Sequence, residues 1–210
     1  MEVAAIIPAY NEEKNIAQVL SCIYQMEELS EILVVSDGST DRTVETAHLF
    51  GVRTIELPYN QGKSYAMKTG LQSTTAPIVL FLDADLIGLK KHHVRSLISP
   101  LIDGVADMTL GIFTSGRNVT DLAQKIAPFL TGQRAVKRWI LEDLNQEEWT
   151  SGFGIEVALT RYARENKLKV SEVYLENVTH VMKEEKLGLA KGVAARIKMY
   201  WEIAKEINRF

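Results

Sequence analysis

The chain has 210 residues, with 46% hydrophobic and 24% charged side chains and a formal net charge of -3. That is enough for one generous soluble domain and gives no basic footprint for a nucleic-acid backbone. Cys22 is its one cysteine, so no internal disulfide forms, and no uncharged run is apolar enough to span a bilayer.

The opening MEVAAIIPAY reads as a strand that begins at once, with no basic leader or cleavage site. A cytoplasmic protein is expected. Apolar runs predict strands over Val3 to Ile7, Ile32 to Val35, Val52 to Leu57 and Ile78 to Leu82. Between them, apolar spacings of three and four predict helices over Asn15 to Met26, Thr43 to Phe50 and Ser64 to Leu71. The alternation argues for βαβ units and a mostly parallel α/β sheet flanked by helices.

The later half predicts a strand over Met108 to Phe113 and a loop over Thr114 to Val119. A helix is expected over residues 123 to 142, interrupted at Leu130, Thr131 and Gly132. A turn at Ser151 to Gly154, a helix over Ile155 to Glu165, a strand over Lys169 to Glu176 and a helical tail over Leu187 to Phe210 complete the expected elements. No linker divides the chain, so one domain over residues 1–210 is expected.

Ligands of parallel sheets bind at the carboxyl ends of the strands, which selects four loops. PAYNEE carries Pro8, Tyr10 and Glu12 where a dinucleotide fold needs glycines. SDGSTD places Asp37 at a strand end, where a carboxylate accepts from a base N–H or ribose hydroxyls, and Asp41 where it caps the next helix; the same residues also serve as an ordinary turn. NQGKS sets Lys63 at a helix start, yet the glycine of a P-loop would fall at Leu57. FLDADL ends a buried strand in Asp83 and Asp85, which leave the same side of the chain if the extended geometry persists. Paired carboxylates there suit Mg2+ or Mn2+ against a diphosphate; a helix cap explains one acid and not both.

PAYNEEKNI, VVSDGSTDRT, NQGKSYAMKTG and FLDADL, in this order, resemble the nucleotide-binding half of glycosyltransferase family 2, with its GT-A fold and DxD motif. The resemblance implies that Pro8, Tyr10, Glu12 and Asp37 hold the nucleoside, that Lys63 lies near it, that Asp83 contacts nucleotide or metal, and that Asp85 binds metal. LTGQRAVKR, SGFGIEVAL and NVTHV are similar to segments of glucosyl-3-phosphoglycerate synthases. By position, Thr131, Gly132 and Arg134 would approach acceptor or donor phosphates, Glu156 would face sugar or acceptor, and His180 would be a third metal ligand. Arg134 by itself suits phosphate or a surface ion pair equally. The nucleotide-binding half is expected over about residues 1–113 and the acceptor half over 114–210.

The implied activity is metal-dependent sugar transfer from a UDP- or GDP-sugar to a small phosphorylated acid such as 3-phosphoglycerate, with Glu156 and Arg134 as catalytic candidates. In the tail, Val193, Ile197, Tyr200, Ala204 and Ile207 form an apolar stripe beside Lys191, Lys198, Lys205 and Arg209. That pattern suits packing on the sheet or contact with an anionic membrane, the latter matching a polyprenyl-phosphate acceptor. A nucleotidyltransferase would need the missing glycine-rich loop. A non-catalytic nucleotide-sugar sensor and a homodimer stay open.

Overall fold

The computed structural model describes residues 1–114, 131–150 and 154–180. Its core is a seven-stranded sheet of β1 (Val3–Ala9), β2 (Glu31–Ser36), β3 (Arg53–Glu56), β4 (Ile78–Phe81), β6 (Met108–Thr114), β7 (Arg134–Lys137) and β8 (Val170–Glu176), in the order β3-β2-β1-β4-β7-β6-β8. Strands β3, β2, β1 and β4 run parallel, as do β6 and β8. Only β7 runs antiparallel to both of its neighbours.

The β1 sequence VAAIIPA is apolar at consecutive positions because both of its faces are covered. Val3, Ala5 and Ile7 pack with Ile16, Val19, Leu20 and Ile23 of α1 (Ile16–Ile23) and with Val94, Leu97 and Leu101 of α4 (Lys91–Ile102). Ala4 and Ile6 face the opposite way, onto Ala66, Met67 and Leu71 of α3 (Lys63–Gln72). Buried hydrocarbon of this kind contributes about 25 cal/mol per Å2 removed from water, which fixes the register of the central strands. Helix α2 (Thr43–His48) packs against α1 and β3.

The expected helix over residues 123 to 142 is corrected. Residues 134 to 137 are β7, and a helix, α5 (Arg138–Asp143), begins only at Arg138. The physical reason is nonlocal: Arg134 and Ala135 pair with Phe81 and Leu80 on one side and with Leu110 and Thr109 on the other. Helices α6 (Gln146–Thr150) and α7 (Ile155–Glu165) follow. A second small sheet joins β5 (Leu86–Ile87) to β9 (Thr179–His180). The tail helix, the loop after Thr114 and the turn residues 151–153 lie outside the described residues.

Candidate functional site

The loops at the carboxyl ends of β1, β2 and β3 are bonded to one another. The Asn11 amide donates to Ser39 Oγ at 3.1 Å, Glu12 N–H to Thr43 Oγ1 at 2.8 Å, and Glu13 N–H to Asp41 Oδ2 at 3.1 Å. Thr40 N–H donates to Asn11 Oδ1 at 2.8 Å. Asp41 also accepts the Thr43 N–H at 3.0 Å, so it serves the start of α2 and the first loop together. Glu12 accepts from Asn15 Nδ2 at 2.7 Å.

Asp37 is 3% exposed. Its two oxygens accept the Gln61 and Gly62 amides at 2.7 and 2.8 Å. This carboxylate therefore holds the third loop at the start of α3, a service the sequence does not announce. Tyr10, just past the end of β1, is exposed, and Pro8 lies within β1, partly buried.

The expected extension through Asp83 and Asp85 does not persist. The chain turns at Ala84 and Asp85 and re-enters a strand at Leu86. Ala84 is buried while both acids are partly exposed, so the two carboxylates still share an environment. Leu86 pairs with His180 across β5 and β9, which brings the predicted histidine to the same corner. Gly88 permits that pairing: a Cβ there would lie 2.3 Å from the Asn177 carbonyl oxygen, and its φ is +80°.

Lys63 Nζ lies 2.6 Å from Asp83 Oδ1 and 2.9 Å from Glu156 Oε1. Helices α3 and α7 thus meet the end of β4 at one bridging ammonium. Desolvation works against the Lys63 charge, but the two carboxylates outweigh it and hold its pKa above the ordinary lysine range. Burial likewise opposes ionisation of Asp83 and Glu156; Lys63 overrides it at both, and each carboxyl lies below its usual value. Gly132 closes the pair from the other side. A Cβ on it would sit 2.5 Å from Lys63 Nζ and 2.7 Å from Asp83 Oδ2.

Asp85 is the exception among these acids. Burial, then the charges of Asp83 and Glu12, push its carboxyl up to about 6. Four carboxylates, of Glu12, Asp83, Asp85 and Glu156, act on this corner against the two cations Lys63 and Arg134. The carboxylates outnumber those cations, and oxygen donors with an imidazole alongside suit Mg2+ or Mn2+. Among the described residues, no three His, Cys, Asp or Glu side chains are already gathered at metal-binding distances.

Arg134, expected to approach acceptor or donor phosphates, is placed in the sheet rather than on the surface. It is wholly buried in β7. Its Nε donates to the Thr131 carbonyl at 3.1 Å and its Nη1 to the Glu156 carbonyl at 3.3 Å. Burial brings its pKa down to about 10 despite the nearby Glu156 and Asp83 charges. The guanidinium fastens the 131 turn to the start of α7 from below. Thr131 and Gly132 are buried too, with Gly132 backed directly onto the Lys63–Asp83 pair.

Gln133, between Gly132 and Arg134, was not among the expected site residues. Its Nε2 donates to Asp83 Oδ2 at 2.5 Å while its Oε1 accepts the Asp83 N–H at 2.9 Å. The only signal in the sequence is a polar amide directly after the interruption at Thr131 and Gly132.

Similarities to known proteins bear on this geometry. The glycosyl transferase family 2 profile matches residues 4–162. The glucosyl-3-phosphoglycerate synthase of Mycobacterium tuberculosis is 30% identical over 193 residues, covering 75% of this chain and 59% of that protein. The chain thus spans about three fifths of the length of that relative. A 4,4'-diaponeurosporenoate glycosyltransferase of Staphylococcus aureus is 35% identical over 99 residues, or 45% of this chain and 26% of that one. Among solved structures, the Mycobacterium tuberculosis synthase with Mn2+, uridine-diphosphate-glucose and phosphoglyceric acid superposes with a TM-score of 0.75 at 25% identity. The match covers 96% of this chain and 79% of that one.

Proposed function

The chain belongs to glycosyl transferase family 2 and has the GT-A architecture, and from that premise we propose that it is a metal-dependent glycosyltransferase. It moves a sugar from a nucleotide-diphosphate sugar, UDP- or GDP-linked, to a small phosphorylated acid of the 3-phosphoglycerate kind. The observation that carries this reading is the acidic excess at Asp83 and Asp85, at the carboxyl end of a parallel strand and beside a resident lysine. The relative solved with Mn2+, uridine-diphosphate-glucose and phosphoglyceric acid supports the choice of donor and acceptor.

Residues 1–113 would hold the donor and the remainder the acceptor. Pro8, Tyr10, Glu12 and Asp37 line the nucleoside side, with Asp37 ordering the third loop. Asp85, Asp83 and His180 would hold the divalent ion, which supplies neutralisation of the diphosphate as the bond to the anomeric carbon breaks. Lys63 is already placed to exchange a carboxylate for a phosphate oxygen, stabilising the leaving group. The hydroxyl of a 3-phosphoglycerate acceptor must lose its proton, and in an inverting reaction Glu156, ionised beside Lys63, is the candidate base. Thr131 and Gly132 form the edge along which the acceptor enters. Arg134 orders that edge rather than touching substrate.

A panel of UDP-, GDP- and dTDP-sugars with 3-phosphoglycerate and Mn2+, read by mass spectrometry of the products, tests the reading. A glycosylated phosphoglycerate formed only with metal supports it. Donor binding without turnover across acceptors would make the chain a nucleotide-sugar sensor instead. The staphylococcal relative, a 4,4'-diaponeurosporenoate glycosyltransferase, favours a second reading in which the acceptor is of the polyprenyl type, such as a polyprenyl phosphate. Among the described residues no helix is long and apolar enough to cross a membrane. Vesicle co-sedimentation dependent on residues 187–210 would support that reading.

A further inference from the structure

We infer that Gln133 is a positioning residue that fixes the Asp83 carboxylate for the donor's metal-bound diphosphate. The inference rests on the proposed function and deepens it. Strand pairing between β4 and β7 ends at Phe81 and Arg134. The next amide on the β4 side, that of Asp83, has no backbone partner there, and the Gln133 side chain takes the place of one: its Oε1 accepts the Asp83 N–H at 2.9 Å. The other half of the same amide turns to the Asp83 side chain, with Nε2 donating to Oδ2 at 2.5 Å. One planar group thus sets both the backbone and the carboxylate of a residue fifty positions away in the chain.

Gln133 is itself held tightly. Its carbonyl accepts the Gly111 amide at 2.7 Å, and its own N–H donates to Thr131 Oγ1 at 3.2 Å. A Cβ at position 111 would stand 3.0 Å from the Gln133 Cβ, so β6 presses against it without room to spare. At 1% exposure the side chain does not meet a ligand, and its effect on one must pass through Asp83. Oδ2 is committed to the amide, which leaves Oδ1, now on Lys63, as the oxygen free to be exchanged.

The choice of an amide follows from charge. A lysine or arginine in this place would donate equally well but would neutralise Asp83 and erase the acidic excess that suits a divalent ion. A leucine would leave the Asp83 amide without its partner and the carboxylate held by Lys63 alone. Glutamine is neutral, donates with one end and accepts with the other, and orders Asp83 before a ligand has to.

The test is a double-mutant cycle read by calorimetry of UDP binding with and without Mn2+, together with amide exchange. Gln133→Met is expected to leave metal-free UDP affinity within about twofold and to weaken the Mn2+-dependent affinity about tenfold. In an Asp83→Ala background the same substitution should change that affinity less than about twofold. Equal losses in both backgrounds, or equal losses with and without metal, would show that Gln133 merely supports the fold and overturn the inference. If the Met variant does not fold, Gln133→Asn, polar but too short to span both contacts, is measured with the same expectations. Exchange at the Asp83 amide should rise at least about tenfold in either variant; an unchanged rate refutes the contact. If the wild-type protein shows no Mn2+-dependent UDP binding, the proposed function fails, and the exchange rate alone then decides whether Gln133 holds Asp83.

Discussion

Replacing Asp85 with asparagine should make the metal-free protein more stable while destroying its use of donor. The half-buried Asp85 carboxyl is pushed up to about 6, burial contributing most and the charges of Asp83 and Glu12 the rest. An unfolded aspartate titrates near 3.9, and each pKa unit is worth about 1.4 kcal/mol, so the ionised form costs about 2–3 kcal/mol. The folded state binds this proton more tightly than the unfolded state. Stability from this group is therefore greatest at low pH, falls as pH rises from about 4 to about 6, and stays reduced at pH 7. An asparagine at this position carries no such charge. With EDTA present, Asp85→Asn should gain about 2–3 kcal/mol at pH 7 in urea denaturation and almost nothing at about pH 4. For a chain of this size that gain raises the thermal midpoint by roughly 2–4 °C per kcal/mol. Adding Mn2+ and UDP-sugar should then stabilise the wild type and leave the variant unmoved. A variant no more stable than wild type at pH 7, or one still stabilised by metal and donor, would refute the electrostatic reasoning.

Lys63→Met should leave Asp83 and Glu156 facing each other without their cation and lower turnover by about a hundredfold. Because both acids are held below their ordinary range in the wild type, the stability deficit of this variant should be full at pH 7 and shrink only as pH falls below the ordinary carboxylate range. Denaturation across pH reads it, and a deficit independent of pH would contradict the bridging role. Arg134→Ala should cost about 3–5 kcal/mol in denaturant and weaken donor and acceptor use together, since a buried guanidinium on two carbonyls is removed. A stable variant defective only toward acceptor would restore Arg134 to direct contact. Gly132→Ala places a methyl group 2.5 Å from Lys63 Nζ and 2.7 Å from Asp83 Oδ2. Donor affinity with Mn2+ should fall at least about tenfold with little change in thermal midpoint, and unchanged affinity would show that the pair moves aside freely.

The parallel half of the sheet is legible in the sequence because VAAII, ILVV and IVLF are apolar at every position, and only strands covered on both faces combine that pattern with such short lengths. The carboxyl ends of those strands then point to Asp37, Lys63, Asp83 and Asp85 without further information. Strand β7 is not legible in the same way. Arg134-Ala-Val-Lys has no alternation of its own, and its extended form comes from partners at Phe81 and Leu110. The burial of Arg134 hides for the same reason: an arginine reads as surface until two carbonyls meet it. Helix α4 is obscured by Pro100 in its final turn and by the paired histidines near its start. The nearness of His180 to Asp83 depends on the two-residue pairing of β5 with β9, a contact across some ninety positions that no local pattern encodes.

Calorimetric titration of wild-type protein and Asp85→Ala with UDP-glucose, each with Mn2+ and with EDTA, reaches the central claim most directly. The wild type should bind at least about tenfold more tightly with Mn2+, and Asp85→Ala should show the same weak affinity under both conditions. Equal affinity of the wild type with and without metal, or an undiminished metal effect in Asp85→Ala, would contradict a cation held at the end of β4.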